Sequence, residues 1–140
     1  MLIKILPADK WFSLCIRERS ENICERCLTS YEGRPGLQCC HYETRGNWST
    51  RFEPLNAFSL CYGCHTLLDG SPIRFTEFYI LKLGYSKLEI LTELSRDIMR
   101  GKENRQNVKD IAEYYHDTYL GMLLKRADGL VGRLNFQGYN

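Results

Sequence analysis

The chain has 140 residues, of which 44% are hydrophobic and 26% charged, with a formal net charge of +2. That length and apolar content suit one ordinary domain around one core, so 1–140 is read as a single unit. The small net charge excludes the strongly basic character that draws a whole molecule to nucleic acid, so any phosphate-binding surface has to come from local clustering.

Residues through Gly70 carry eight basic and eight acidic side chains, and the remainder carry eleven and nine. Arg45 with Arg51, and Arg96 and Arg100 with Lys102 and Arg105, are local basic clusters, each equally readable as a solvated face. The apolar run Leu2 to Leu6 is interrupted by Lys4, so no secretory signal is expected. No run approaches membrane-spanning length, and no membrane partner is expected. Seven cysteines are an odd count, and their C-x-x-C spacing favours thiols holding metal in a reducing compartment over a disulfide scaffold. The expected location is the cytoplasm.

In chain order, Asp9 can cap a helix through about Ser20 whose apolar positions Phe12, Cys15 and Ile16 recur at helical spacing, with Arg17 and Arg19 making another face basic. Cys24-Glu25-Arg26-Cys27 then leads into Gly33-Arg34-Pro35-Gly36, a stretch that stops any helix and places the first C-x-x-C on a knuckle. Leu37 to Thr44 reads as a strand, 45–49 as a polar loop, and Phe52 to Leu60 as an extended continuation toward Cys61-Tyr62-Gly63-Cys64. A helix is expected from about Cys61 or Tyr62 to Asp69-Gly70. Further helices are predicted over Thr76 to Leu83 and from the capping box Ser86-x-x-Glu89 through Ile98, with a break at 101–104. A last helix from about Asn107 carries Val108, Ile111, Ala112, Tyr115 and Tyr119 on one stripe before a Gly-rich tail from Asp128. These aromatics read as core, with base stacking as the alternative.

The chemistry concentrates between Cys24 and Asp69. Cys24, Cys27, Cys61 and Cys64 form two C-x-x-C pairs around a strand and turn, the pattern that closes a tetrahedral structural zinc site with no open position. Between and after them come His41, Asn56 and His65. A neutral imidazole at His41 can take a proton from water while a divalent cation near His65 polarises a phosphate and stabilises the leaving oxygen. The Asn56 amide can pin the loop that positions His41, or serve as a plain turn residue.

These residues resemble the His-Asn-His endonucleases of the ββα-metal fold, and within them the bacteriophage NinG/Rap recombination endonucleases, with the Ref-like nucleases related. The matching segments are Asp9-Lys10-Trp11-Phe12-Ser13 with Ile16-Arg17-x-Arg19, both C-x-x-C knuckles, His41-Tyr42-x-Thr44, Arg51-Phe52 with Leu55-Asn56, and Cys64-His65 with Gly70 downstream. The resemblance implies an α+β fold with a ββα-metal core over about 22–70, an N-terminal helix and a C-terminal helical part over about 74–127. It implies a Mg²⁺- or Mn²⁺-dependent hydrolase of DNA phosphodiester bonds, structure-selective on branched recombination intermediates such as D-loops and Holliday-type junctions. His41 is the implied base and His65 the implied ligand of the catalytic metal, in a host-cell cytoplasm if the chain is phage-encoded. Arg17, Arg19, Arg45 and Arg51 are candidate DNA contacts, and the oligomeric state is left open, a homodimer among the options.

Two departures stand out. Many relatives place Asp or His immediately before the base, where this chain has Cys40, a soft ligand poorly matched to Mg²⁺. His65 stands where relatives often have Asn, and Asp69, one helical turn later on the same face, can supply an oxygen ligand. Cys39 and Cys40 are read as small core residues, with Cys39 on the face of His41 by strand alternation. The alternatives are a non-catalytic zinc-stabilised module that binds DNA structure, and a homing- or toxin-type nuclease that acts on ordinary duplex.

Overall fold

A computed structural model describes residues 2–140 of the chain. Helix α1 (Pro7–Arg19) precedes strand β1 (Leu37–His41); a 3₁₀ turn (Pro54–Asn56) leads into β2 (Ala57–Cys61), and α2 (Tyr62–Asp69) follows directly. Four more helices complete the chain: α3 (Pro72–Leu83), α4 (Tyr85–Ser95), α5 (Ile98–Gln106) and α6 (Val108–Ala127). The architecture is therefore α+β, with six helices and one two-stranded antiparallel sheet. Among the described residues no helix is long and apolar enough to cross a membrane.

Two strands alone are marginally stable in water, and here both faces of the hairpin are covered. Its register pairs Cys39 with Ser59, Cys40 with Phe58 and His41 with Ala57. Because side chains alternate along a strand, Phe58, Leu60 and Cys40 pack with Leu68 of α2, Phe75, Phe78 and Tyr79 of α3 and Leu91 of α4. Cys39 and Ala57 face the other way, onto Phe12, Cys15 and Ile16 of α1 and Ile111, Tyr115 and Met122 of α6. The predicted separation of Cys39 from Cys40 follows from this alternation.

Asp9 caps α1 from inside the helix. Leu6 is the N-cap, and the Asp9 carboxylate, in the first turn, accepts from the Leu6 N–H at 2.8 Å. The first strand ends at His41 instead of Thr44: Tyr42 N–H still donates to Asn56 O at 2.9 Å, but residues 54–56 turn away as a 3₁₀ segment and Glu43 N–H is taken by the Asn56 side chain instead of a facing backbone. Helix α3 begins four residues earlier than expected, since Pro72 is its first residue and Ser71 Oγ accepts from Arg74 N–H. The chain turns into α4 at Gly84, whose φ of +89° suits glycine, so Ser86 lies inside the helix and forms no capping box there.

The predicted break at 101–104 is a correction of another kind: Gly101 and Asn104 lie within α5, which Asp97 opens by accepting from Arg100 N–H at 3.0 Å. Gly101 is there for close approach, because a Cβ at that position would meet Ser49 Oγ at 2.9 Å. Helix α5 thus lies directly on the 47–53 loop. Ser49 Oγ donates to Asp97 O at 2.6 Å, Arg100 Nε donates to Ser49 O at 2.8 Å, and Arg100 pairs with Glu53 at 2.6 Å. The Gly-rich tail is also docked: Leu134 N–H donates to Arg19 O at 3.0 Å and Tyr139 N–H to Tyr115 Oη at 3.1 Å.

Candidate functional site

The first C-x-x-C is folded as a closed knuckle. Leu28 N–H donates to Cys24 O at 2.9 Å, Cys24 N–H donates to Thr29 O at 3.0 Å, and Ile23 and Ser30 form an isolated bridge around it. Glu25 fastens the knuckle to β2: its N–H donates to Ser59 O at 2.8 Å, and its carboxylate accepts from Ser59 N–H at 2.6 Å. The second C-x-x-C straddles the junction of β2 and α2, so Cys61 ends the strand and Cys64 lies in the first helical turn.

These elements bring the sulfurs of Cys24, Cys27, Cys61 and Cys64 within 4.8 Å of one another. Cys27 and Cys61 are 3.9 Å apart, and a tetrahedral zinc with Zn–S of about 2.3 Å requires S···S of roughly 3.8 Å. Donors converge on the same atoms: Cys61 N–H on Cys24 Sγ at 3.4 Å and Arg26 Nη1 on Cys64 Sγ at 3.5 Å. Hydrogen bonds from Thr29 hold the Cys27 thiol down to about 6, whereas burial pushes Cys64 up to about 12. A thiol raised in this way ionises beside a cation, which a coordinated metal supplies. The four cysteines therefore fit a structural metal such as zinc.

His41 closes β1 with its half-buried ring against Phe12, ring centroids 5.9 Å apart. Its Nε2 lies 3.0 Å from the Arg51 carbonyl. A carbonyl only accepts, so Nε2 carries the proton and the lone pair is on Nδ1. Burial, reinforced by the charge of Arg45, pushes the imidazolium down to about 4, so the ring is neutral at pH 7. Asn56 is fully buried and spans the loop: Oδ1 accepts from Glu43 N–H at 2.6 Å, and Nδ2 donates to Glu43 O at 2.9 Å and Thr50 O at 3.0 Å. The loop-pinning alternative weighed for Asn56 is the one its contacts match.

His65 and Asp69 lie one turn apart on α2, with Nε2 to Oδ2 at 2.9 Å. Nδ1 of His65 lies 2.6 Å from Gln38 Oε1, and Cys40 Sγ lies 3.9 Å from Asp69 Oδ1. Cys40, His65 and Asp69 form a second group whose ligand atoms are all within 4.8 Å. Cys40 is buried among core side chains, as expected, and in addition faces this pair. His41 projects toward α1 and the second group lies on the α2 side, so the two are joined through the chain neighbours Cys40 and His41 and share no side-chain hydrogen bond.

The arginines divide sharply. Arg51 is buried, donates to both Asp9 oxygens at 3.0 and 2.7 Å and to Lys4 O at 2.8 Å, and lies over the Trp48 ring. Breaking such a buried pair costs about 3–5 kcal/mol, more than the about 1.5–3 kcal/mol returned by a hydrogen bond to a charged group, so Arg51 is retained inside the fold. Arg19 is likewise internal, donating to Pro54 O at 2.9 Å and Ala57 O at 2.6 Å. Their burial withdraws both from the phosphate contacts expected of them. Arg45, whose Nε lies 3.5 Å from Asp9 Oδ1, and Arg17 are half-buried and, with Lys10 and Ser13, line a groove along α1. Gln38 and Glu25 were missed from sequence. Alternation with Cys40 pointed to the first, while the second carried no signal beyond its place inside a C-x-x-C.

The class these observations define is an α+β protein with a four-cysteine cluster suited to a structural metal. No protein-family model, curated protein or solved structure matches the chain.

Proposed function

We propose that the chain is a His-Asn-His endonuclease of the ββα-metal fold that hydrolyses DNA phosphodiester bonds, with a preference for branched recombination intermediates, as the resemblance to the NinG/Rap endonucleases implies. The observation that carries this reading is the His41 ring: a neutral imidazole whose Nε2–H is committed to the Arg51 carbonyl, leaving Nδ1 to accept a proton. In the proposed reaction His41 Nδ1 takes a proton from the attacking water. Asn56 holds the 43–56 loop, and with it the Arg51 carbonyl, in place. His65 and Asp69 would hold a divalent cation, which would supply charge stabilisation for the phosphate and the leaving oxygen. The scissile phosphate lies over the end of β1, where Cys40 and His41 project to opposite sides of the strand.

Lys10, Arg17 and Arg45 supply the phosphate contacts in this reading. The Arg17→Ala, Arg45→Ala double variant is expected to weaken DNA binding without changing sequence preference and to reduce the salt slope by roughly one per lost contact. An unchanged slope, measured by titration at several salt concentrations, returns both residues to ordinary surface charge.

The absence of a shared hydrogen bond between His41 and the His65 group favours one competing reading, a zinc-stabilised module that binds branched DNA without cutting it. Purified protein incubated with divalent metal and matched branched and linear DNAs separates them. Metal-dependent nicking concentrated at branch points supports the proposal, equal cutting of linear duplex points to the homing- or toxin-type reading, and tight binding with no cleavage under any metal sinks the enzyme.

A further inference from the structure

We infer that Cys40, His65 and Asp69 form a second metal site that takes a zinc-class ion (Zn²⁺ or Co²⁺) in preference to Mg²⁺, with Cys40 as a thiolate ligand and Gln38 orienting the histidine. The inference concerns the same site as the proposed nuclease centre but rests on metal-binding geometry and holds whether or not the protein cuts DNA.

The His65 ring carries the argument. Gln38 Oε1 accepts, so Nδ1 at 2.6 Å is the protonated nitrogen, and the Nε2 lone pair is left facing the Asp69 carboxylate at 2.9 Å. In the neutral ring two acceptors meet there, and either a second proton, which makes His65 and Asp69 an ion pair, or a cation shared by the two satisfies both; the thiol of Cys40 beside Asp69 favours the cation. A ligating histidine characteristically donates its other N–H to an oxygen acceptor, which fixes tautomer and ring orientation; Gln38 fills that role from β1, two residues before Cys40.

Geometry and ligand type then select the ion. Ligand atoms about 2.0–2.3 Å from one tetrahedral ion lie roughly 3.3–3.6 Å from each other; His65 Nε2 lies 2.9 Å from Asp69 Oδ2 and Cys40 Sγ 3.9 Å from Asp69 Oδ1, one partner on each carboxylate oxygen and each near that range. Thiolate with imidazole and one carboxylate suits zinc, whereas Mg²⁺ demands octahedral oxygen and keeps its waters. Cys40 is fully buried, but the His65 and Asp69 side chains are 25% and 58% exposed, so a fourth position opens to solvent. Three protein ligands with one open position is the arrangement of zinc sites that do chemistry, in contrast to the closed four-cysteine site.

The test is metal binding without DNA. Protein carrying one zinc in the four-cysteine site is titrated with Co²⁺, followed by equilibrium dialysis and absorption. The expected result is one further Co²⁺ per chain, with a thiolate-to-cobalt charge-transfer band that a large excess of Mg²⁺ leaves in place. Cys40→Ser and Cys40→Ala should each lose the band while keeping the first zinc, which serves as the check on folding, and Gln38→Ala should weaken the second site by about tenfold to a hundredfold with the band intact. Binding of a single metal overturns the inference and leaves His65 and Asp69 as an ion pair. Co²⁺ uptake with no charge-transfer band, or displacement by Mg²⁺, overturns the role of Cys40. Failure of DNA cleavage alone, with the band present, counts against the nuclease and leaves this site standing.

Discussion

Replacing Cys64 with serine, or stripping the metal with a chelator, is expected to unfold the 22–70 region and to lower the melting temperature of the whole chain by more than about 10 °C. A structural zinc contributes apparent binding energy on the order of 10 kcal/mol, comparable to the total stability of about 5–15 kcal/mol typical of a domain. Each kcal/mol moves the midpoint of a chain this size by roughly 3 °C, so losing even half of it exceeds the stated drop. The knuckle needs that contribution. Leu28 has φ of +64°, and Glu21 and Asn22 just before the knuckle have φ of +59° and +57°, left-handed conformations that cost about 1–2 kcal/mol each for residues with a Cβ. The sheet that the knuckle joins has only two strands. Elemental analysis of pure protein should find tightly bound zinc, and thermal unfolding with and without chelator should show the shift. Protein with no zinc, or with an unmoved midpoint after chelation, contradicts the assignment.

How much of this was legible in sequence depended on whether the signal was local. The four cysteines were legible because C-x-x-C spacing fixes a local turn whatever surrounds it. Helix α2 was placed within a residue at each end, because Gly70 and Pro72 punctuate the chain there. Gly101 misled for the converse reason: its role is contact with Ser49, 52 residues away in sequence, and no helix signal encodes that. Arg51 misled in the same way, since its partner Asp9 is 42 residues distant and a sequence cannot distinguish an arginine that pairs inside the fold from one that meets a phosphate. Cys40 lay between these cases. Alternation correctly separated it from His41, but its approach to Asp69 is a product of how α2 crosses the hairpin.

Under the proposed nuclease reading, the largest functional effect is expected from His41→Ala: cleavage of branched DNA should fall by about a hundredfold to ten-thousandfold, the contribution of a positioned general base, while DNA affinity and zinc content stay near those of the parent. Affinity is spared because Lys10, Arg17 and Arg45 line a groove that His41 does not line. Zinc is spared because His41 contacts none of the four cysteines through a hydrogen bond, and the lost bond to the Arg51 carbonyl costs only about 1 kcal/mol. The pH profile adds a signature. With the imidazolium lowered to about 4 by burial, the neutral, proton-accepting form prevails above that pH and is lost below it, so the acid limb of kcat/KM due to this residue belongs near 4 instead of the usual 6.5. His65→Ala should also lose activity, through the metal, so raising the metal concentration restores part of it there and none in His41→Ala. Single-turnover cleavage across pH and metal concentration reads all of these, and a His41→Ala protein that cuts as fast as its parent would falsify the His-Asn-His assignment.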